Sequence, residues 1–422
     1  MDLTLFPLVY GLLFLRATGS VSGAFSFTNS GELGYHAQAE TMRFVWTANR
    51  NDLVRENATL KYGTDGNLLL SDADGRAVWS TNTSKKGVVG IELRNNGNLV
   101  LYDKKNKTVW QSFDHATDSL LVGQSLNIGG VKKLVSRVSD KDGSEGPYSL
   151  AMEAGGFALY ASFPKPLPYW TLSFYEGIKD IFAITHTCKK PVSSITFQSN
   201  TEAENGYSQM MEMRLANFTA PPELRAPELC KLTSDQTTSA LYSFNTPRFN
   251  TTLSFLRLDS DGDLRMYTYS PGIEFNTWDI TYQKFGCWRG VPVCGLPRKC
   301  GGFGVCEKGQ CVACPEVDGF KGWSTNCSPP SLPNCKDASS NSSVDFYKVV
   351  GAEHFSSKYV NAERNGKTTL EECRRRCLND CTCAAFFYWE ESSACLNTQT
   401  VGTLTQLGNS THLAFIKTVK KV

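Results

Sequence analysis

Leu60-Lys-Tyr-Gly-Thr-Asp65-Gly-Asn-Leu68 and, 31 residues later, Ile91-Glu-Leu-Arg-Asn-Asn96-Gly-Asn-Leu99 are two copies of one pattern. Alternating apolar residues on both sides of an Asp-Gly or Asn-Gly turn are typical of short antiparallel strands. A fixed period of this length indicates stacked supersecondary units. This stretch therefore predicts an internally symmetric, all-β module.

Each copy continues to a strand that ends in Val-Trp, at Trp79 and at Trp110, and Phe44-Val-Trp46 has the form of the end of an earlier copy. Three equivalent tryptophans predict a buried cluster around one axis, because large aromatic side chains dominate core energetics. The alternative is that these rings stack on sugars. Their repeated position favours the core.

Composition limits the possible functions. The chain has 422 residues, with 43 basic and 41 acidic side chains, so we expect two to four domains and no electrostatic preference for nucleic acid or an anionic membrane. The five histidines are scattered and accompany no catalytic, phosphate-binding or metal-binding motif. We therefore expect no enzyme activity, no cofactor and no metal. The acidic turns at Asp72 and Asp259 could suggest calcium, but turn chemistry explains them better.

An apolar run from Leu3 to Leu15, followed by small residues, predicts a signal peptide over residues 1–23. No second apolar stretch approaches the length of a membrane span, so we expect no membrane anchor. We predict a protein secreted to the extracellular space or cell wall. Eight Asn-x-Ser/Thr sites support that prediction, and their asparagines are Asn57, Asn82, Asn106, Asn217, Asn250, Asn326, Asn341 and Asn409.

Changes in residue pattern and cysteine content along the chain predict four domains after the signal peptide. They are the repeat module over 24–130, a second and degraded copy over 131–285, a cysteine-rich module over 286–330 and a last module over 331–422. Thr369 and Glu372 form a capping box that starts a helix in the last module. Thirteen of the 15 cysteines lie between Cys287 and Cys395. Such density indicates disulfides rather than a zinc or redox site at Cys311-Val-Ala-Cys314.

The turns, the Val-Trp strand ends and Trp110-Gln-Ser-Phe-Asp114 resemble the bulb-type mannose-binding lectins. The resemblance implies a mostly β fold: tandem β-prism lectin domains, an EGF-like module and a small α+β PAN/apple domain. The module order is similar to that of S-locus glycoproteins and S-domain receptor kinases, here without a kinase. Most of the chain resembles the plant epidermis-specific secreted glycoproteins.

In the bulb-type mannose-binding lectins the sugar pocket has the sequence Gln-x-Asp-x-Asn-x-Val-x-Tyr. Side chains two apart on a strand share one face. The best copy here replaces the Gln and the Asp and consists of Arg94, Asn96, Asn98, Val100 and Tyr102. A second copy keeps Asp65 and Asn67, and a third, from Asp259 to Tyr267, is further decayed. The resemblance implies a carbohydrate site at these positions, with no copy of the motif complete.

The resemblance to EGF-like and PAN/apple modules also implies a disulfide pattern. The implied pairs are Cys294 with Cys306, Cys300 with Cys311, Cys314 with Cys327, Cys335 with Cys381, Cys373 with Cys395, and Cys377 with Cys383. Cys188, Cys230 and Cys287 are left over, an odd set.

The sequence supports three hypotheses about function. The first is a non-enzymatic, lectin-like glycoprotein of the plant extracellular matrix that binds mannose-type glycans or glycoproteins weakly. In the second, the lectin fold is a scaffold, and the EGF-like and PAN modules bind extracellular proteins or receptor ectodomains. Arg374, Arg375 and Arg376 would then be an acidic-partner site, or a solvated helix face. The third is a purely structural wall protein.

Overall fold

The computed structural model describes residues 20–21, 25–28, 44–163, 165–173, 192–200, 208–215, 239–244, 254–270, 277–286, 291–333, 344–359 and 367–420. The chain folds into two compact units. The first takes in residues up to 157, 172–260 and 264–282, and the second takes in 158–171, 261–263 and the chain from 283 onward.

The repeat module forms two four-stranded antiparallel sheets, in the orders β2-β3-β4-β5 and β1-β6-β7-β8. The strands are β1 (Ser20–Val21), β2 (Phe25–Thr28), β3 (Thr59–Tyr62), β4 (Leu68–Ser71), β5 (Ala77–Ser80), β6 (Val88–Leu93), β7 (Leu99–Asp103) and β8 (Thr108–Gln111). The period of the sequence is reproduced in the register, because Leu60 pairs with Leu70 and Ile91 pairs with Leu101. β1 falls inside the predicted signal peptide and pairs with β6. The all-β prediction is confirmed.

Trp46, Trp79 and Trp110 pack edge to face around one axis, with ring centroids 5.7–6.1 Å apart. Trp46 and Trp110 are buried, whereas Trp79 is only partly buried. Leucines from β3, β4, β6 and β7 complete this core. The cluster therefore holds the repeat units together, as their equivalent positions predict.

The next region is also built of strands. They are β9 (Ser119–Leu121), β10 (Ser125–Asn127), β11 (Lys133–Arg137), β12 (Glu145–Glu153), β13 (Gly156–Ser162), β14 (Pro166–Ser173), β15 (Val192–Asn200), β16 (Ser208–Leu215), β17 (Ser239–Ser243), β18 (Ser254–Leu258), β19 (Leu264–Ser270) and β20 (Thr277–Gln283). One sheet has the order β20-β19-β18-β9 and another the order β10-β15-β16-β17, while β11 forms a hairpin with β12.

The second unit contains the cysteine-rich stretch and the last module. Its elements are β21 (Phe303–Glu307), β22 (Gln310–Glu316), β23 (Gly319–Gly322), β24 (Val344–Val350), β25 (Ala352–His354), α1 (Leu370–Asn379), β26 (Ala385–Trp389), β27 (Ala394–Thr398), β28 (Gly402–Gln406) and β29 (His412–Val419). β21 pairs in parallel with β28, which joins the two stretches in a five-stranded sheet of order β23-β22-β21-β28-β25. The other sheet has the order β24-β29-β26-β27.

Helix α1 begins as the capping box predicts, because the Thr369 hydroxyl accepts a hydrogen bond from the Glu372 backbone N–H at 3.1 Å. Cys373 and Cys377 lie on its buried face. Short 3-10 turns occur at Ser112–His115, Val293–Gly295 and Ser357–Tyr359. Within the described ranges, every helix falls short of the length and apolar character that a membrane span requires.

Candidate carbohydrate-binding site

The five residues of the best pocket copy lie along the β6–β7 hairpin. Arg94 and Asn96 are exposed in its turn, Asn98 is buried where β7 begins, and Val100 and Tyr102 follow along β7. Only Val100 and Tyr102 are two apart within a strand and so share one face of it. The arrangement differs from an open pocket, because Val100 is 0% exposed and offers no apolar surface to a ligand.

Asn98 is engaged inside the fold. Its Nδ2 donates to Gln111 Oε1 at 2.9 Å, and its Oδ1 accepts from the Ser112 hydroxyl and the Phe113 backbone N–H, both at 3.3 Å. The residue is 3% exposed. Asn98 therefore links the start of β7 to the residues that follow β8 through these hydrogen bonds.

The equivalent residue makes similar hydrogen bonds in the other two copies. Asn67 Oδ1 accepts from the Thr81 hydroxyl at 3.1 Å and from the Thr83 N–H at 3.0 Å. Asp263 accepts from Gln283 Nε2 at 2.7 Å and from the Phe285 N–H at 3.0 Å. The third residue of each Asp/Asn-Gly-Asn/Asp turn is thus structural. The sequence pattern did not predict this structural role. The hydroxyl residues that follow two of the Val-Trp pairs, Thr81 and Ser112, are the hydrogen-bond partners that could have indicated it.

One residue of the hairpin turn, Gly97, lies against the beginning of the next region. Gly97 has a φ of +84°, and a Cβ placed on it would lie 2.8 Å from Leu121 Cδ1 at the end of β9. Gly97 therefore meets two requirements that only glycine satisfies easily: the left-handed backbone and the close approach of β9.

The two polar ends of the pocket copy remain accessible. Arg94 is paired with Glu92 of β6, with Nε and Oε2 3.6 Å apart. Tyr102 is partly buried and lies across Gly90, its direct cross-strand partner, where any Cβ would clash with the tyrosine hydroxyl. A ligand at this hairpin would meet the exposed groups Arg94 and Asn96 and the edge of Tyr102.

The copy at Asp65 is closed in a different way. Its carboxylate accepts from the Asn67 N–H at 3.2 Å and occupies the space that a side chain at Gly63 would fill. Hydrogen bonds from the Ser84 side chain and the Asn67 backbone lower the pKa of Asp65. The carboxylate stays charged but is already hydrogen-bonded.

In the third copy three same-face side chains bind one another. Asp259 Oδ2 accepts hydrogen bonds from Arg265 Nη1 and the Tyr267 hydroxyl, both at 2.8 Å. Burial raises the pKa of Asp259 against the opposing effect of Arg265, and burial also raises the pKa of Tyr267. This cluster is an internal ion pair rather than an open pocket.

Five of the disulfides that the resemblance implied are present: Cys294–Cys306, Cys300–Cys311, Cys314–Cys327, Cys373–Cys395 and Cys377–Cys383. Cys381 is also disulfide-bonded. Its implied partner Cys335 lies outside the described residues, as do Cys188, Cys230 and Cys287. Cys311 and Cys314 each belong to a different bridge, which accounts for their spacing without a metal.

Charged motifs elsewhere are paired internally. Asp72 and Asp74 bind Arg55, and hydrogen bonds led by the Arg55 backbone N–H lower the pKa of Asp72 to about 2. On helix α1, Arg375 and Arg376 both bind Glu372, and Arg374 binds Asp345. Within the described ranges, no cluster of three or more His, Cys, Asp or Glu side chains is arranged to hold a metal ion.

The sequon asparagines that fall within the described ranges are all exposed: Asn57, Asn82, Asn106, Asn326 and Asn409. Asn57, Asn82 and Asn106 have φ values of 67°, 53° and 58°, in the left-handed region that asparagine tolerates in turns. Asn217, Asn250 and Asn341 lie outside the described residues.

Comparison with known proteins agrees with this architecture. Residues 43–140 match the family model for a D-mannose binding lectin domain, and residues 335–400 match that for a PAN-like domain. The fold and its modules therefore define a protein that combines a bulb-type lectin domain with a PAN-like domain.

Two relatives specify the family further. The chain is 39% identical to EP1-like glycoprotein 2 of Arabidopsis thaliana over 97% of its own length and 86% of that protein. It is 39% identical to the epidermis-specific secreted glycoprotein EP1 of Daucus carota over 74% of its own length and 78% of that protein. The chain belongs to the EP1-like glycoprotein family.

More distant similarity extends to receptor kinases and to solved lectins. The Arabidopsis G-type lectin S-receptor-like kinase SD2-5 is 25% identical, and the match covers 89% of this chain but 40% of the kinase. A monomeric mannose-binding lectin from Gastrodia elata is 34% identical over 17% of this chain and 63% of that lectin, with a TM-score of 0.15.

Proposed function

We propose that this chain is a secreted, N-glycosylated and non-enzymatic lectin-like protein of the plant extracellular matrix. Membership of a family whose carrot relative is named a secreted glycoprotein supports this proposal. So do the disulfides and the exposed sequon asparagines.

We propose further that the protein binds mannose-type glycans or glycoproteins weakly at the β6–β7 hairpin. The observation that carries this proposal is the accessibility of Arg94, Asn96 and Tyr102, three positions at which the family pattern places sugar contacts. Binding is weak because Asn98 and Val100 are occupied inside the fold, so few polar groups remain to select a sugar.

A glycan array tests this site. Secreted protein should be retained on mannose-rich glycans, and Tyr102→Ala should lower retention at least fivefold, because the ring supplies the apolar contact that Val100 no longer offers. Lys104→Ala, at an exposed position in the turn after β7, is the matched surface control. Equal retention of Tyr102→Ala and wild type would remove the hairpin from the proposal.

A specific observation favours a second function, in which the cysteine-rich and last modules bind an extracellular protein. β23 lies at the edge of the five-stranded sheet, and Val312, Phe320 and Trp323 near it are exposed. An edge strand with exposed apolar side chains is suited to pairing with an extended segment of a partner.

Capture of partners from extracellular extract by the full chain distinguishes this function from glycan binding. Binding at β23 should survive an excess of free methyl mannoside, and Phe320→Asp should abolish it. Ile128→Asp is the matched control, since Phe320 and Ile128 are both 53% exposed. Partners that are released by the free mannoside, or that bind Phe320→Asp normally, would contradict it.

A further inference from the structure

A cleft of about 360 Å³ opens beside the tryptophan cluster of the first lectin module. Its volume lies within the range of small-ligand pockets, roughly 300–1,000 Å³. Trp79 lines the cleft together with Ala48 and Val78. Because Trp79 is the one member of the cluster that keeps appreciable exposed surface, its ring gives the cleft an aromatic wall.

The cleft also contains a buried acceptor with no partner. Asn49 is 4% exposed, and its Nδ2 donates to the Asp52 carbonyl at 3.0 Å. Its Oδ1 accepts no hydrogen bond from any residue that the structure describes. That oxygen has less than 1 Å² of exposed surface, so hydroxyl donors of a ligand must be accepted by groups at the surface of the cleft instead.

The charges of the lining favour a neutral ligand. The guanidinium of Arg50 is occupied by three backbone carbonyls, those of Val135, Ser136 and Gly143, at 2.8–2.9 Å. The carboxylate of Glu145 is exposed on the rim, and no described residue binds it. The lining thus offers oxygen acceptors and an indole while its guanidinium is engaged, which suits hydroxyl donors and disfavours an anion.

A second cleft of about 430 Å³ shares Arg50, Thr117 and Glu145 with the first. It is also lined by the exposed lysines Lys132 and Lys133, so its charge favours an anion. The lining that suits a neutral ligand is therefore that of the first cleft, beside Trp79.

We propose that the first cleft is a second glycan-binding site, separate from the β6–β7 hairpin, that takes the neutral terminal sugar of an oligosaccharide. The apolar face of the sugar ring packs on Trp79, and its hydroxyls donate to Glu145. The proposal stands whether or not the hairpin binds sugar, because the two sites share no residue.

Intrinsic tryptophan fluorescence tests the cleft directly, since the proposed ligand contacts an indole. Full-length protein is titrated with mannobiose, cellobiose and digalacturonic acid. We expect a saturable shift with at least one of the neutral disaccharides and none with the diacid. Glu145→Gln should weaken the binding about tenfold, because a carboxylate acceptor is stronger than an amide.

Two tryptophan variants make the assignment specific. Trp79→Phe should remove most of the shift, while Trp323→Phe, at an exposed tryptophan of the other unit, should leave it intact. Circular dichroism establishes that each variant is folded. The proposal is overturned if folded wild type responds to none of the neutral sugars. It is also overturned if the shift survives Glu145→Gln and Trp79→Phe but is lost in Tyr102→Ala, since the sugar would then bind at the hairpin.

Discussion

Asn96 and Asn98 stand two positions apart in one turn and have different functions. Asn96 is exposed, and its Oδ1 accepts from the Asn98 N–H at 3.2 Å. Asn98 is buried and joins Gln111, Ser112 and Phe113 to the start of β7. A change at Asn98 would therefore alter sugar binding by loosening the fold, whereas a change at Asn96 acts on the surface itself.

Asn98→Ala should lower the free energy of unfolding of the first unit by about 2–3 kcal/mol, because it leaves the buried Phe113 N–H and its neighbours without an acceptor. Asn96→Ala, the matched control, should cost less than about 1 kcal/mol, because water replaces its exposed oxygen. Urea unfolding followed by tryptophan fluorescence measures both. Equal and small losses of unfolding free energy in the two variants would show that the hydrogen bonds of Asn98 do not stabilise the fold.

At the scale of elements, the hairpins were predictable because their determinants are local. The Asp-Gly and Asn-Gly turns place Gly66 and Gly97 at φ values of +79° and +84°, and the alternating leucines set the register. The start of helix α1 was predictable for the same reason, since a capping box spans four residues. These parts of the fold follow from short-range sequence.

The parts that sequence analysis did not predict depend on contacts between distant residues. β21 pairs with β28 across 99 positions, with Phe303 opposite Gly402. Lys417 on β29 is buried and donates to the carbonyls of Cys377 and Asp380 at 3.0 Å, where it neutralises the carboxyl end of α1. Burial lowers the pKa of this lysine. No local pattern in the sequence marks such partners.

The candidate site could likewise be predicted only in part from local sequence. The family spacing placed Arg94, Asn96, Asn98, Val100 and Tyr102 on one hairpin, and they lie there. The spacing did not reveal that Val100 is buried or that Leu121 approaches Gly97. Whether a pocket is open depends on what packs against it, and here one such contact comes from β9, in the next region of the chain.

At the scale of the whole molecule, each of the two units contains groups whose lowered pKa makes acid destabilising, whereas the raised pKa of Asp259 acts in the opposite direction. Burial lowers the pKa of His354 to about 3. Hydrogen bonds from Arg55 lower that of Asp72 to about 2, and those from Arg375 and Arg376 lower that of Glu372 to about 2. In each case the unfolded chain binds a proton at a higher pH than the folded chain, so stability falls as the pH falls.

These groups titrate over different pH ranges, so the effect of His354 on stability can be measured separately from that of the carboxylates. An unfolded histidine titrates near pH 6.5 and an unfolded carboxyl near pH 4. Between pH 6 and pH 5 the loss of stability in the second unit therefore comes mainly from His354, whose Nε2 lies 3.1 Å from the Thr400 carbonyl and whose Nδ1 accepts from the Ser356 N–H. Below about pH 4 the carboxylates of both units add to it.

We expect the free energy of unfolding of the second unit to fall by about 1.4 kcal/mol for each pH unit below about pH 6, the slope for one proton taken up on unfolding. His354→Asn retains a polar side chain that does not titrate, so it should flatten this slope whatever its effect on stability at pH 7.5. Urea unfolding at pH 7.5, 6.0 and 5.0, with the transitions of the two units fitted separately, measures both slopes. An unchanged slope in His354→Asn would mean that another group of the second unit takes up the proton.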